Sequence, residues 1–218
     1  IKLIHRVAEV VNKDPRTKGL LKVAFVPDYR VSLAERIFPA ADLSEQISTA
    51  GREASGTGNM KFALNGALTI CTLDGANIEL MEEIGAENMY CFGLTADRIQ
   101  AMRAAGIYRP RDYYDLNHDV RRMMDCFASN RFSPREPGLF QWIFDSILDH
   151  GDRYFHLADF ESYCAAQSRA DADYASPQTW ARKAIFNVAR IGKFSSDRTV
   201  LEYARDVWGI ASVRPSVA

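Results

Sequence analysis

The sequence predicts an α/β protein in which a parallel sheet is covered by helices and a helix-rich part follows it. Three observations carry this expectation. Short apolar runs with strand character recur at residues 20–26, 43–49, 67–72 and 88–92, and segments of helical periodicity alternate with them. The intervals between runs leave room for the crossover helices that parallel neighbours require. From about Tyr108 onward only helical periodicity is found. Residues 1–107 therefore read as the α/β part and 108–218 as the helical part of the same domain, since no flexible linker separates them.

Taken in order, residues 1–12 place apolar side chains at 3, 4, 7, 8, 10 and 11, a helix face already in stride at the first residue. Asp14-Pro15 and Gly19 stop it, and LLKVAFV at 20–26 reads as a buried strand. Pro27-Asp28-Tyr29-Arg30 turns the chain into a short helix at 32–37. A strand at 43–49 leads to a glycine loop and a helix carrying Lys61. ALTICT at 67–72 is the next strand, 77–84 a helix, 88–92 a strand, and 95–105 a helix with Thr95 as its cap. Helical periodicity then covers 117–129, 138–149, 159–174, 179–191 and 197–208, the last with Ser195 or Ser196 as cap. No internal repeat or low-complexity tract is present. In open parallel sheets ligands bind beyond the carboxyl ends of the strands, where Tyr29, the glycine loop and Asp74-Gly-Ala-Asn77 are expected to converge.

Charge and composition narrow the function. A formal net charge of −1 implies neither a nucleic-acid stripe nor a membrane patch. No apolar run approaches the roughly 20 residues that cross a bilayer, and the charged start IKLIHRVAEVVNKD is not a signal peptide. Cys71, Cys91, Cys126 and Cys164 lack metal-ligand spacing, so no metal is expected. They read as four buried residues in a reducing compartment, with the cytoplasm as the expected location.

Chemistry concentrates between Ala50 and Asn77. In Glu53-Ala-Ser-Gly-Thr-Gly-Asn-Met-Lys61, small residues precede an apolar-periodic segment, the pattern of a glycine loop opening into a helix. Backbone N–H groups and the positive dipole end of such a helix suit a phosphate-like anion. Gly56 and Gly58 allow close backbone approach, and Thr57 offers a hydroxyl. Lys61 follows about one turn later, close enough for the same positive end to push its amine pKa down. A less protonated lysine beside an anion site is what Schiff-base attachment of pyridoxal phosphate requires. A Gly-x-Gly taken alone fits a simple turn equally.

The longer string EASGTGNMKFALNGALTI, with TLDGAN after it, closely resembles the pyridoxal-phosphate segment of the α-glucan phosphorylases, the glycogen, starch and maltodextrin enzymes. VVNKDP, PDYRVSLAERIFPAADLSEQISTAG, the FSP at 132–134 and GKFSSDRT also look like phosphorylase sequence. The resemblance spans essentially the whole chain and is densest from Val23 to Gly75. It implies the C-terminal, Rossmann-like half of a glycosyltransferase-B fold. It also implies that the family's N-terminal domain and a basic segment supplying further phosphate-site cations lie upstream, so that some strands of the sheet are missing here.

Residue by residue, the resemblance makes Lys61 the Schiff-base lysine of pyridoxal 5′-phosphate, with Thr57 and Gly58 holding the cofactor phosphate. Tyr29 matches a tyrosine lining the cofactor pocket and Arg30 the basic neighbour beside it. Glu53, Ala54, Ser55 and Gly56 match the segment that bonds the hydroxyls of the glucosyl unit, and a carboxylate with nearby N–H groups suits a polyol. Taken without the family, Lys61 is an exposed helix lysine, Gly58 a turn glycine, Tyr29 a packing residue, Arg30 a solvated charge and Glu53 an acid near a helix start. Asp74 and Asn77 read as a turn and an N-cap rather than ligands. Glu35 and Glu45 read as surface or ion-paired carboxylates. His5, His118, His150 and His156 match no catalytic position. One departure is Cys71, which stands where the related strings have glycine and must find room beside its strand.

The reaction so implied is reversible phosphorolysis. Inorganic phosphate removes a terminal α-1,4-linked glucosyl unit of a glucan as α-glucose 1-phosphate, with retention, and the cofactor acts through its 5′-phosphate. A homodimer is a family expectation for the full-length protein; whether the enzyme is allosteric is not legible, since the family's regulatory surfaces lie largely upstream. A P-loop is excluded because Phe62, not Ser or Thr, follows the lysine. A transaminase would need a carboxylate partner for the pyridine nitrogen, and none is recognisable. The other reading is a cofactor-binding or structural piece that is inactive without the upstream part.

Overall fold

The computed structural model describes residues 1–211. The last seven positions of the expected helical part, 212–218, lie outside them. The protein is α/β: three strands, β1 (Leu43–Gln46), β2 (Leu68–Thr72) and β3 (Tyr90–Phe92), form one parallel sheet in the order β1-β2-β3. Leu43 pairs with Leu68 at one end of the first ladder and Gln46 with Cys71 at the other; Cys71 pairs onward with Cys91. All five residues of LTICT are buried, as befits a central parallel strand covered on both faces. Helices α3 (Gly58–Leu64) and α4 (Ala76–Ile84) make the two crossovers.

The other helices are α1 (Lys2–Val11), α2 (Val31–Ile37), α5 (Ala96–Ala104), α6 (Pro110–Leu116), α7 (His118–Ala128), α8 (Gln141–Leu148), α9 (His156–Tyr174), α10 (Pro177–Arg190) and α11 (Ser196–Glu202). The chain forms two compact units. One comprises Ile1–Glu35 and Gly93–Cys164, the other Arg36–Phe92 and the described residues from Ala165 on.

The sheet unit is held by a core of Ala63, Cys71, Leu80, Ile84, Met89 and Ile191. α10 packs against α3 and α4. From it, Arg190 Nη1 donates to the Ile84 carbonyl at 2.9 Å and so satisfies an open carbonyl at the end of α4. Asn187, wholly buried, donates to Lys183 O (2.9 Å) and Asn88 O (3.4 Å). Asp173 accepts from Tyr90 Oη at 2.9 Å and pairs with Lys183 at 2.6 Å. The Lys183 bond holds its carboxyl below the usual range, while burial raises the Tyr90 phenol.

The other unit has no strand among the described residues. Its core is Val120, Met124, Leu148 and Leu157, edged by Tyr113, Tyr114, Phe144 and Phe160. Asn117 caps α7, its Oδ1 accepting from Asp119 N (3.0 Å) and Val120 N (3.1 Å). Buried Asp152 accepts from Tyr108 Oη at 2.6 Å and Leu157 N at 2.9 Å, which fixes the entry to α9.

Several local expectations need correction. Residues 20–26 form no strand: Leu20, Leu21 and Val26 are exposed, and within their own unit no strand is available to pair with them. The Asn12 amide takes a partner's place, donating to Val23 O and accepting from Val23 N, both at 2.8 Å. The expected strand at 43–49 closes at Gln46, with Ile47 more than half exposed. A 3-10 turn, Ala86–Asn88, occupies the start of the strand expected at 88–92. α6 was not expected, and the helix expected from 159 begins at His156. The helix expected at 197–208 becomes a π-turn at Tyr203–Val207, and Ser195, its N-cap, makes no side-chain cap bond. Of the cysteines only Cys71 is buried; Cys91 and Cys126 are half-buried and Cys164, on α9, is exposed.

Candidate functional site

β1 and β2 deliver two loops to their carboxyl ends, and these loops are tied together by buried polar groups. The Asp74 carboxylate, just past β2, accepts the N–H groups of Gly51 (2.7 Å), Arg52 (3.3 Å) and Glu53 (2.8 Å). A buried carboxylate is stable there because three donors converge on it. Thr72 Oγ1 donates to Ser48 O at 2.5 Å. Asn59 Nδ2 donates to Asn77 Oδ1 at 2.8 Å, and Asn77 Nδ2 donates back to Thr72 O at 3.2 Å. Ala76 N donates to Ser55 O at 2.8 Å.

Gly75 is where the two loops touch. Its φ is +51° and its ψ −141°, backbone that side chains strongly resist, and a Cβ there would lie 2.4 Å from Ser55 O. The Glu53–Gly56 segment is thus laid directly across the start of α4. Asp74 and Asn77 are correspondingly more than a turn and a cap: Gly75 is the N-cap of α4, and Asn77 lies inside the helix with its amide in the buried bridge to Asn59.

α3 begins at Gly58, with Thr57 as N-cap. Asn59 and Ala63, four apart, form its buried face, and Phe62 packs edge-on against Phe38 at 4.6 Å between centroids. Lys61 falls between these positions and points outward. It is exposed, and its Nζ donates to Thr57 Oγ1 at 3.3 Å. Around Gly58 there is room, since an added Cβ would come no nearer than 3.9 Å to any neighbour, Gln46 Nε2. Thr57, Gly58 and Lys61 are therefore neighbours, and Glu53, Ala54, Ser55 and Gly56 are the preceding turns of the same pinned loop. Glu53, Ala54 and Ser55 are exposed.

Tyr29 and Arg30 belong to the other unit. Tyr29 is 59% exposed, and Arg30 pairs with Asp28, donating to its Oδ2 at 2.6 Å and its carbonyl at 3.1 Å. No strand precedes them, so the convergence of three strand-ending loops reduces to two, at β1 and β2. The four histidines are exposed, and Glu45 accepts from Gln167 Nε2 at 2.6 Å, as a surface carboxylate does. Among the described residues no group of acidic, His and Cys side chains has metal-ligand geometry, and no helix is long and apolar enough to cross a membrane.

The carbohydrate phosphorylase family model matches residues 1–210. The chain belongs to this phosphorylase family. It is 56% identical over 210 residues to the glycogen phosphorylase of Bacillus subtilis (strain 168), covering 96% of this chain and 26% of that protein. Against the glycogen phosphorylase of Synechocystis it is 54% identical over 213 residues, 98% of this chain and 25% of the relative. Against the brain form from Homo sapiens it is 52% identical over 210 residues, 96% and 25%. The chain thus spans about a quarter of the length of the curated relatives it matches. Within this phosphorylase chain, the anchors Asp74, Asn59 and Asn77 were missed as such by sequence reasoning. The available signal was a pair of amide side chains in helices, which tolerate them poorly unless their side chains are otherwise engaged.

Proposed function

We propose that the whole protein is an α-1,4-glucan phosphorylase, a glycosyltransferase converting glucan and inorganic phosphate reversibly into α-glucose 1-phosphate with retention. This chain would supply its pyridoxal 5′-phosphate site. The observation that carries the reading is the pinned loop 53–58, which presents an exposed Lys61 beside the Thr57 hydroxyl.

The residues present fit the cofactor in donor chemistry and in space. Lys61 supplies a primary amine for covalent attachment, Thr57 a hydroxyl, and Gly58 the open approach that a phosphate needs. When bound, the cofactor supplies an acid/base group, its 5′-phosphate, to the substrate phosphate. Lys61 anchors it; Thr57 and Gly58 hold and orient its phosphate. The Glu53 carboxylate accepts from glucosyl hydroxyls, while Ala54, Ser55 and Gly56 offer N–H donors, so that each hydroxyl is satisfied as both donor and acceptor. Because the loop backbone is locked by Asp74 and Gly75, these donors are fixed before substrate arrives, which is the condition for preorganised stabilisation. Tyr29 and Arg30 enter this proposal as cofactor-binding residues on the family resemblance alone, Arg30 exchanging Asp28 for an anion.

The same reading makes the chain the C-terminal Rossmann-like half of a glycosyltransferase-B fold, residues 1–107 being its cofactor-facing part and 108–218 its helical part. The whole protein would be a cytoplasmic homodimer. The coverage of a quarter of the relatives favours a second point: these 218 residues alone bind or support the cofactor without catalysing the reaction. A phosphorolysis assay tests both. The whole protein should release glucose 1-phosphate from glucan and phosphate, and Lys61→Ala should abolish this. Release by the isolated chain would overturn the second point, and undiminished release by Lys61→Ala the first.

A further inference from the structure

We propose that Cys71 and Cys91 are a dithiol that peroxide oxidises to a disulfide, a modification site within the sheet. The two residues are register partners on β2 and β3. Register partners on neighbouring parallel strands present their side chains on one face, and the strand spacing of about 4.8 Å lies inside the Cα separation a disulfide accepts. Their sulfurs stand 3.6 Å apart.

The partners differ in the way such a reaction needs. Cys71 is fully buried among Ala63, Leu80, Ile84 and Met89. Cys91 is half-buried, with Met81 Sδ at 3.8 Å from its sulfur. The Cys71 thiol, donating across the 3.6 Å gap, favours a thiolate at Cys91, and the charge of Arg169, whose Nη2 donates to the Cys91 carbonyl at 2.9 Å, adds to it. Cys91 is therefore the attacking sulfur and Cys71 the resolving one. In the first step the Cys91 thiolate attacks one peroxide oxygen, the O–O bond breaks, and the departing hydroxide takes a proton to become water, leaving a sulfenic acid. In the second, the Cys71 sulfur attacks the Cys91 sulfur, the S–O bond breaks, and the Cys71 proton leaves with the hydroxyl as water. Two thiols lose two protons and two electrons, and one peroxide becomes two waters. Because Ala63 of α3 shares the core with Cys71, the new bond forms directly beneath the helix that carries Lys61.

The test is titration of the purified protein with hydrogen peroxide, followed by alkylation in denaturant and peptide mapping. Cys126 and Cys164, in the other unit, serve as references. A Cys71–Cys91 cross-linked peptide, lighter by two hydrogens and lost on treatment with dithiothreitol, is expected at doses that leave Cys164 alkylatable. In Cys71→Gly the cross-link should vanish and Cys91 should label with dimedone as the trapped sulfenic acid. Should that variant not fold, Cys91→Ala must leave Cys71 fully alkylatable after peroxide. Alkylation of both residues at a dose that oxidises Cys164, or over-oxidation of Cys91 without a cross-link, would overturn the proposal.

Discussion

The loop at residues 51–58 and the run at residues 20–30 are both irregular, both exposed over much of their length, and both carry residues expected to face the cofactor. They are built differently. The first is stitched from below by Asp74, Asn59, Asn77 and the bare Gly75, so its backbone has one shape. The second is held by the Asn12 amide at Val23 and by an exposed Arg30–Asp28 pair. Exposed pairs of that kind contribute little. Residues alike in expected role thus differ in how far their positions are determined locally. The loop proposed to hold a reacting group is the one whose backbone is tied to buried Asp74 and to the start of α4.

That contrast can be broken by substitution, and the largest effect is expected at Gly75. Gly75→Ala forces a Cβ onto Ser55 O and a side chain into strained backbone, a combined cost of about 4 kcal/mol, read as a fall in the urea midpoint. A neutral result would mean that the two loops are not in contact in solution. Asp74→Ala leaves three N–H groups without their acceptor and should destabilise by about 3 kcal/mol. It should also weaken cofactor retention in the whole protein, a second readout that simple loss of stability at saturating cofactor would not produce.

A pH series sharpens the comparison from the side of the helical unit. Burial raises the Asp159 carboxyl above its usual range, against the opposing bond from Leu94 N at 2.8 Å. The folded chain therefore binds this proton to higher pH than the unfolded chain does. Its stabilising contribution is complete below the unfolded carboxyl's range and is lost as pH rises through the raised folded value. Asp159→Asn keeps an acceptor for Leu94 and has no proton to lose. Urea midpoints measured from acid to neutral pH should show that variant falling less steeply than the parent; parallel curves would contradict the assignment. The smallest effect belongs to the loose run: Arg30→Ala should change stability by less than about 0.5 kcal/mol, and a larger loss would show that residues 20–30 are held more firmly than their contacts indicate.

What the sequence made legible follows from the kind of signal each region carried. The charge-free, β-branched LTICT, flanked by Gly66 and the Asp74-Gly75 pair, reads as a covered strand, and it is the centre of the sheet. Thr95 and its helix were readable because a cap is a local chemical fact. The run LLKVAFV misled because apolar pattern says that a segment suits a ladder without saying that a partner is at hand. α6 escaped because PRDYYDL is short and mixes charge with aromatic rings, leaving no apolar stripe to count. At the candidate site Lys61, Thr57 and Gly58 were readable as neighbours from spacing alone. The role of Asp74 was not, since Asp-Gly signals a turn locally, and its three N–H partners lie more than twenty residues upstream. Cys71 likewise showed only as a departure from glycine; its partner Cys91 depends on strand register, which composition does not encode.

The central claim is that Lys61 is where pyridoxal 5′-phosphate attaches. The direct measurement is borohydride reduction of the whole protein purified with the vitamer present, followed by mass spectrometry of the peptide containing residue 61. The account predicts a pyridoxyl adduct on Lys61, absent from Lys61→Ala. An unmodified Lys61 in protein that carries the cofactor on another lysine, or on none, would contradict it.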